Sequence, residues 1–268
     1  MPFATVNNIN LYYELHGSGD PLVLINGLGY DLWMWHKMVP GLAEHFQVVT
    51  FDNRGVGQSD KPAGPYTAQM LANDLARLLE TLDIEQAAVM GHSMGGFVAQ
   101  ALVLSRPHLV SKLILSATNF GGPNHIPVTP EALAILMDTQ ADPVERLRRG
   151  IVVSCAPGFA EARPEVIESW IAHRLETPLD PQGYQAQLAI GLALTTEEAS
   201  FESRLKNVQA PTLILFGEYD KVVPPGNAEL LARDIKDSKT TILSGAGHFF
   251  PLEVPQAANE AIITFLER

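Results

Sequence analysis

Short apolar runs alternate with helix-like segments along most of this chain, and no other feature limits its fold as much. The clearest runs cover residues 22–25, 48–51, 87–90, 113–115 and 212–216. A strand that is apolar at nearly every position is buried on both faces, which is typical of a parallel sheet with helices on each side. The alternation therefore predicts a doubly wound α/β sheet, in which ligands bind at the carboxyl ends of the strands.

Three further segments complete the predicted sheet. Residues 4–6 and 10–15 are interpreted as strands before the first buried run, and residues 240–243 as a strand after the last one, so a mostly parallel eight-stranded sheet is expected. The best helical pattern begins at Thr67, a candidate N-cap, and leucines recur after it at positions 71, 75, 78, 79 and 82. This stripe predicts a helix that packs on the sheet.

The alternation stops between about residues 119 and 200, where prolines separate short amphipathic pieces. Candidate helices cover residues 131–138, 143–154, 165–175 and 182–194, and no convincing strand lies among them. We therefore expect an α/β core domain formed by residues 1–120 and 201–268. A helical cap, residues 121–200, is expected to be inserted after the sixth strand.

Charge and cysteine content argue against several classes of function. Lys and Arg supply 18 positive charges against 30 acidic residues, and the net charge of −12 repels phosphate backbones and anionic membranes, so neither a nucleic-acid nor a membrane partner is expected. Cys155 is the only cysteine, which excludes an intrachain disulfide, and we interpret it as a small buried residue. The histidines lack ligand spacing, so no metal site is expected. The chain shows no secretory signal and no long apolar run, which favours a cytoplasmic location.

The segment with the most chemical content is Gly91-His92-Ser93-Met94-Gly95, which follows a buried strand and opens a helix. A Gly-x-Ser-x-Gly sequence in that setting forms a sharp turn that presents the serine hydroxyl above the sheet, and its glycines avoid collisions between strand and helix. The Met94 amide is expected at the helix N-terminus, where free N–H groups favour negative charge. Ser93 is the candidate nucleophile, and His92 is interpreted as a structural residue.

A serine hydroxyl needs a general base and an orienting acid to act as a nucleophile at neutral pH. Both types of residue follow later strands, because Glu218 and Asp220 come after the strand at 212–216 and His248 comes after the strand at 240–243. The carboxyl ends of parallel strands meet at one edge of a sheet, so these side chains are expected near Ser93. Asp220 and Glu218 both stay open as the acid at this point.

The order of Ser93, Asp220 and His248, with the strand, turn and helix around the serine, resembles the α/β-hydrolase superfamily. The resemblance covers nearly the whole chain outside the insertion. It implies a catalytic triad in which Ser93 is the nucleophile, His248 is the general base and then the general acid, and Asp220 is the orienting carboxylate. It also favours Asp220 over Glu218.

The loop Asn26-Gly27-Leu28-Gly29 follows the third strand, as the oxyanion loop does in that superfamily. The match implies that the backbone amides of Leu28 and Met94 form the oxyanion hole. Relatives commonly have His-Gly where this chain has Asn26-Gly27, but the donors are backbone amides, so the hole is expected to survive. The candidate substrate-binding residues are Gly27, Trp33 and Phe249, with helix packing as the alternative for Trp33.

The expected function is cleavage of small to medium carboxylic esters through an acyl-enzyme, without a cofactor. The similar haloalkane dehalogenases and epoxide hydrolases carry aspartate at position 93, and serine cannot readily replace it in their mechanisms. The chain is also similar to 3-oxoadipate enol-lactonases, cofactor-free haloperoxidases and carbon–carbon bond hydrolases, and a non-catalytic small-molecule receptor stays open. Arg146, Arg148 and Arg149 form either a solvated helix face or a site for a substrate carboxylate. The oligomeric state also stays open, a homodimer included.

Overall fold

Eight strands form one sheet in the computed structural model, which describes residues 2–138, 140 and 142–268. The strands are β1 Phe3–Val6, β2 Ile9–His16, β3 Pro21–Ile25, β4 Gln47–Phe51, β5 Ala87–His92, β6 Val110–Ser116, β7 Thr212–Gly217 and β8 Ser238–Leu243. Their order across the sheet is β1-β2-β4-β3-β5-β6-β7-β8, in which β1 and β2 pair antiparallel and all strands from β3 to β8 run parallel. The predicted eight-stranded, mostly parallel sheet is confirmed.

Helices connect the strands and cover the sheet. In the described residues the α-helices are α1 Val39–Leu42, α2 Ala68–Thr81, α3 Met94–Ser105, α4 Pro130–Leu136, α5 Pro143–Ser154, α6 Phe159–Ala162, α7 Pro164–Glu176, α8 Pro181–Ala193, α9 Gly226–Asp234, α10 Phe250–Glu253 and α11 Pro255–Leu266. Short 3-10 helices are found at Leu32–Trp35, Pro107–Leu109 and Glu202–Asn207. None of the helices that the structure describes has both the length and the apolar content needed to cross a membrane.

The sheet is buried on both faces, as its apolar strands predict. Consecutive residues of β3 alternate between two apolar cores, since Leu22 and Leu24 pack in one and Val23 and Ile25 in the other. All four side chains are fully buried. This two-sided burial is why the strand needs an apolar residue at every position rather than at every second one.

The helix predicted from the leucine stripe is also present. The Thr67 hydroxyl caps α2 by accepting a hydrogen bond from the Met70 N–H at 3.1 Å. Leu71, Leu75 and the leucines at positions 78 and 79 are buried against the sheet. The N-cap and the periodicity therefore both act as the sequence indicates.

The segment between β6 and β7, which we call the helical insertion (residues 121–200), contains α4 to α8. The helix predicted at 143–154 has those bounds, whereas α4, α7 and α8 each begin one residue earlier than predicted, at a proline. Proline is favoured at the first helical position, because its missing N–H has no partner there and its φ suits a helix. The one-turn helix α6 was not predicted. The division of the chain into a core domain and a cap stays a prediction.

Four loops meet at the carboxyl edge of the parallel strands. β3, β5, β7 and β8 are followed respectively by residues 26–29, by Ser93, by residues 218–220 and by residues 244–248. The register of the sheet thus gathers all the candidate catalytic positions at one edge.

Candidate active site

The turn around Ser93 has a strained backbone held from several sides. Ser93 has φ 55° and ψ −120°, a conformation that residues with a side chain rarely adopt. Its N–H donates to the Ser116 carbonyl on β6 at 2.9 Å, and its carbonyl accepts from the Thr118 hydroxyl at 2.8 Å and from the Gly96 N–H at 2.9 Å. These contacts stabilise a conformation that the residue alone would not favour.

The two motif glycines leave no room for a side chain. A Cβ on Gly91 would lie 2.2 Å from the Gly95 carbonyl oxygen, and a Cβ on Gly95 would lie 2.4 Å from the Ile25 carbonyl oxygen. Both contacts involve backbone, which cannot move aside as a flexible side chain can. The glycines therefore allow α3 to start directly against β3 and β5.

Asp220 and His248 form a buried pair. The distance from His248 Nδ1 to Asp220 Oδ2 is 2.7 Å, and the two residues are 4% and 3% exposed. The other oxygen of Asp220 accepts from the Val222 and Val223 N–H groups at 2.8 and 2.7 Å. These donors fix the carboxylate in one orientation. The imidazole is held through Nδ1, and its Nε2 makes no hydrogen bond to the residues that the structure describes.

Glu218, the alternative acid, lies elsewhere. Its side chain is exposed and accepts from the Gly245 N–H and the Ser244 hydroxyl, both at 2.9 Å. These hydrogen bonds lower the pKa of Glu218, because they favour its charged form. The structure therefore pairs His248 with Asp220. Glu218 instead stabilises the turn at Ser244 and Gly245, which precedes His248.

His92 packs behind the candidate catalytic histidine. Its Nδ1 lies 2.8 Å from the Ser116 hydroxyl, and its ring centre is 4.9 Å from that of His248. Burial, with a smaller contribution from His248, holds the pKa of His92 well below its usual range. His92 is therefore a neutral packing residue, in agreement with its structural interpretation.

The loop after β3 is anchored by Asn26. The Asn26 amide donates to the Phe51 carbonyl at 2.9 Å, and its oxygen accepts from the indole N–H of Trp35. Within the described residues, the N–H groups of Leu28 and Met94 make no backbone hydrogen bond. A Cβ on the intervening Gly27 would lie 3.3 Å from Ser93 Cβ, so this loop runs directly past the serine.

The helical insertion contacts Gly29, the last residue of the loop after β3. Gln187 of α8 accepts from the Gly29 N–H at 2.9 Å, and Arg174 of α7 donates to the Gly29 carbonyl at 2.9 Å. The Arg174 guanidinium also lies 4.7 Å from the ring centre of Tyr30. Sequence reasoning missed both residues. Neither belongs to a motif, and Gln187 is one of three glutamines in α8.

Phe249 joins an aromatic cluster beside the candidate catalytic histidine. Its ring centre lies 5.3 Å from that of His248, 4.3 Å from that of Trp170 on α7 and 5.3 Å from that of Tyr30. Burial raises the pKa of Tyr30 to about 12, although Arg174 acts in the opposite direction. The cluster places apolar surface from the insertion next to the Asp220–His248 pair.

Trp33 adjoins this cluster, with its ring centre 6.4 Å from that of Trp170. It is stacked between His36 and His173, with ring centres 4.3 and 4.4 Å away, and it borders a cavity of about 650 Å³. That cavity is lined by residues such as Gly29, Asp31 and Asp52, and Ser93, Asp220 and His248 are not among its lining residues. The candidate substrate-binding residues Gly27 and Phe249 thus lie beside the candidate catalytic residues, whereas Trp33 borders a separate cavity.

The three arginines of α5 have different surroundings. Arg148 pairs with the exposed Glu168 at 2.5 Å, and Arg149 pairs with Asp138 at 3.0 Å. Arg146 is half-buried, and its charge acts on Tyr184 of α8, whose ring lies 3.0 Å from the position of a Cβ on Gly29. Of the three, only Arg146 has a charge that acts on Tyr184, which packs close to the loop that passes Ser93.

Two further predictions from the sequence concern metal ligands and the cysteine. Across the part of the chain that the structure describes, no group of three or more His, Cys, Asp or Glu side chains could hold a metal ion. Cys155 is buried, as predicted, and burial raises the pKa of its thiol.

Comparisons with known proteins agree with this architecture. A family model described as the alpha/beta hydrolase fold matches residues 20–255. A putative non-heme bromoperoxidase of Mycobacterium tuberculosis is 32% identical over 96% of this chain and 97% of its own length. The 3-oxoadipate enol-lactonase 2 of Acinetobacter baylyi is 30% identical over 98% of this chain and 96% of its own length.

A solved structure with the same fold is that of a thermophilic esterase from Thermogutta terrifontis. It has 31% sequence identity and a TM-score of 0.80, and the alignment covers 99% of this chain and 97% of the esterase. The family model spans most of the chain, including the Ser93 turn and the Asp220–His248 pair. The chain therefore belongs to the alpha/beta hydrolase family.

Proposed function

We propose that this protein is a serine hydrolase that cleaves small to medium carboxylic esters through an acyl-enzyme intermediate. The observation that carries the proposal is the 2.7 Å contact between His248 Nδ1 and Asp220 Oδ2, at the strand edge that also bears Ser93. Among the relatives, an enol-lactonase and an esterase are named for reactions at an ester carbonyl, which supports the same chemistry here.

In the acylation step, Ser93 Oγ attacks the ester carbonyl carbon while His248 Nε2 takes the hydroxyl proton. The carbonyl electron pair moves to the oxygen, and the Leu28 and Met94 amides donate to the resulting oxyanion. The intermediate collapses, the C–O bond to the alcohol breaks, and His248 gives its proton to the leaving alcohol.

Deacylation repeats these steps with water. His248 takes a proton from the water, the hydroxide adds to the acyl carbon, and Ser93 leaves with the proton as the carboxylic acid is released. Asp220 keeps the imidazole in the correct tautomer and stabilises the imidazolium that forms in each half-reaction. We propose that the helical insertion is the cap that covers this site, with Gly27 and Phe249 against the substrate.

The test is steady-state hydrolysis of p-nitrophenyl esters from acetate to decanoate by the wild type and by Ser93→Ala. Intact-mass detection of a serine-directed phosphonate label is measured in parallel. We expect the wild type to turn over and to gain one label, and the variant to do neither. Labelling without ester turnover would show a competent serine with another substrate. Thermal stabilisation by ligands without labelling or turnover would favour a receptor instead.

An enol-lactone hydrolase is the second candidate, and Arg146 favours it. Burial raises the pKa of Tyr184, and the charge of Arg146 acts against that rise. Arg146 makes no ion pair among the described residues, and the Tyr184 ring packs close to Gly29. An anionic lactone would bring a carboxylate for Arg146 to bind. We expect Arg146→Gln to raise KM for an anionic lactone about tenfold without changing KM for a neutral ester. Arg148→Gln is the matched control, because Arg148 already pairs with Glu168.

A further inference from the structure

Glu253 is a buried carboxylate beside the candidate catalytic histidine that the mechanism above does not use. It ends α10, five residues after His248, and is 7% exposed. One of its oxygens accepts from the Ala156 N–H at 2.7 Å, and the other accepts from the Gly247 N–H at 3.0 Å. It therefore connects the residue next to His248 with the residues that follow α5.

The loop that carries His248 also rests directly on the end of α5. The His248 N–H donates to the Ser154 carbonyl at 2.7 Å, and a Cβ on Gly247 would lie 2.5 Å from the same oxygen. Glu253 thus closes a ring of hydrogen bonds that joins the histidine loop to the helical insertion. The position of His248 depends on this contact as well as on Asp220.

We propose that Glu253 is a positioning residue for His248, which holds the histidine loop on the end of α5 and supplies a second negative charge behind the Asp220–His248 pair. This inference rests on the proposed role of His248 as general base. It extends that role, because a general base is effective only when both its position and its protonation state are set.

The surroundings of Glu253 place its ionisation near neutral pH. Burial raises the pKa of Glu253 to about 7, the hydrogen bonds from Ala156 and Gly247 and the charge of His248 lower it, and the charge of Asp220 raises it. Of the other titratable groups nearby, Cys155 and His92 are uncharged, because burial raises the pKa of the thiol and lowers that of the imidazole. Above that pH range Glu253 carries a negative charge behind the Asp220–His248 pair.

Two substitutions separate the charge of Glu253 from its shape. Glu253→Gln keeps the shape and one acceptor but removes the charge, so we expect the pH midpoint of kcat/KM to fall by about half a unit and kcat to fall about tenfold. Glu253→Asp keeps the charge but shortens the side chain, so we expect the midpoint to stay and kcat to fall. KM for the best p-nitrophenyl ester should change less than twofold in both variants, by about the uncertainty of the measurement.

The matched control is Glu218→Gln. Glu218 also accepts from the loop before His248, through Gly245, but it is exposed and makes no contact with the Asp220–His248 pair. We expect the kcat of Glu218→Gln, and the pH midpoint of its kcat/KM, to match those of the wild type. Circular dichroism and thermal melts establish that each variant is folded.

A titration of the His248 ring by NMR, without substrate, gives a readout that does not depend on turnover. We expect the same downward shift of its midpoint in Glu253→Gln, even if p-nitrophenyl esters are not substrates and the proposed function fails. A folded Glu253→Gln protein whose His248 titration matches the wild type would overturn the inference. Equal losses of kcat in the Gln and Asp variants, with no change of midpoint, would overturn it too, because they indicate a purely structural side chain.

Discussion

The turn around Ser93 and the helical insertion both border the candidate active site, but they are held in place in different ways. Ser93 is fixed mainly by backbone atoms, since its N–H donates to the Ser116 carbonyl and the nearby Gly95 packs against the Ile25 carbonyl. The insertion reaches the same site mainly through side chains, such as Arg174 on the Gly29 carbonyl. Side chains larger than hydrogen at Gly95 would therefore collide with backbone atoms, whereas the position of the insertion depends on separate polar side-chain contacts.

The largest expected effect is on the buried pair beside the Ser93 turn. Asp220→Asn should lower kcat roughly 10⁴-fold, because the amide would stabilise the wrong tautomer of His248 and lose the charge that supports the imidazolium. Steady-state kinetics on the best p-nitrophenyl ester measure this change, and circular dichroism checks that the fold is kept. If Glu218→Gln were the more damaging change, the pairing of His248 with Asp220 would not be the catalytic one.

The next effect tests the backbone packing of the turn itself. Gly95→Ala should reduce the free energy of unfolding by about 3 kcal/mol or more, because the new methyl group would collide with the Ile25 carbonyl. The matched control is Gly191→Ala in α8, where a Cβ would have nothing within 4 Å. That control should be neutral or stabilising by up to about 1 kcal/mol. Urea denaturation of both variants would refute this account if their stabilities changed equally.

A pH-dependent effect is expected at Glu253, where the loop that carries His248 meets the helical insertion. The pKa of Glu253 is about 7 in the folded protein, against an ordinary value of 4.5. Its contribution to stability is therefore fully present below pH 4.5 and is lost as pH rises through 7. Relative to Glu253→Gln, the wild type should lose about 3 kcal/mol of unfolding free energy between about pH 4 and pH 8.

Denaturation of both proteins at several pH values gives this difference directly. Burial also raises the pKa of Asp52, to about 6, but Asp52 is common to both proteins and its contribution cancels. A stability difference that does not change with pH would mean that Glu253 ionises as an ordinary exposed carboxyl does.

The smallest effect should come from the contact between the insertion and the loop past Ser93. Arg174→Gln removes the hydrogen bond to Gly29 and the contact with the Tyr30 ring, so kcat/KM for esters should fall about tenfold as the neighbouring Leu28 amide loses its support. Arg148→Gln, on the exposed pair with Glu168, should leave kcat/KM within about twofold. Equal effects of the two substitutions in steady-state assays would contradict this account, because the contact of Arg174 with Gly29 would then matter no more than the exposed ion pair of Arg148 with Glu168.

Much of the sheet and of its catalytic edge could be predicted because the signals are local. The buried strands are recognisable as apolar runs. The serine turn is recognisable from the two glycines around Ser93, which lie close together in the sequence within one strand–turn–helix unit. Asp220 and His248 could be placed because each follows a recognisable strand. Sequence alone left open the choice between Asp220 and Glu218, and only the superfamily resemblance favoured one before the geometry was seen.

The sequence by itself determined the fold class, the serine turn and the residue types at the carboxyl edge of the sheet. The tertiary structure decided that Trp33 borders a cavity that Ser93, Asp220 and His248 do not line. It also decided that Arg148 and Arg149 form ion pairs with Glu168 and Asp138, and that Glu253 lies behind His248. The physical reason is that the contacting residues are far apart in the sequence. Arg174 and Gly29 are 145 residues apart, and a side-chain contact across such a distance leaves no periodicity or spacing in the sequence, because it exists only once the insertion has packed on the core.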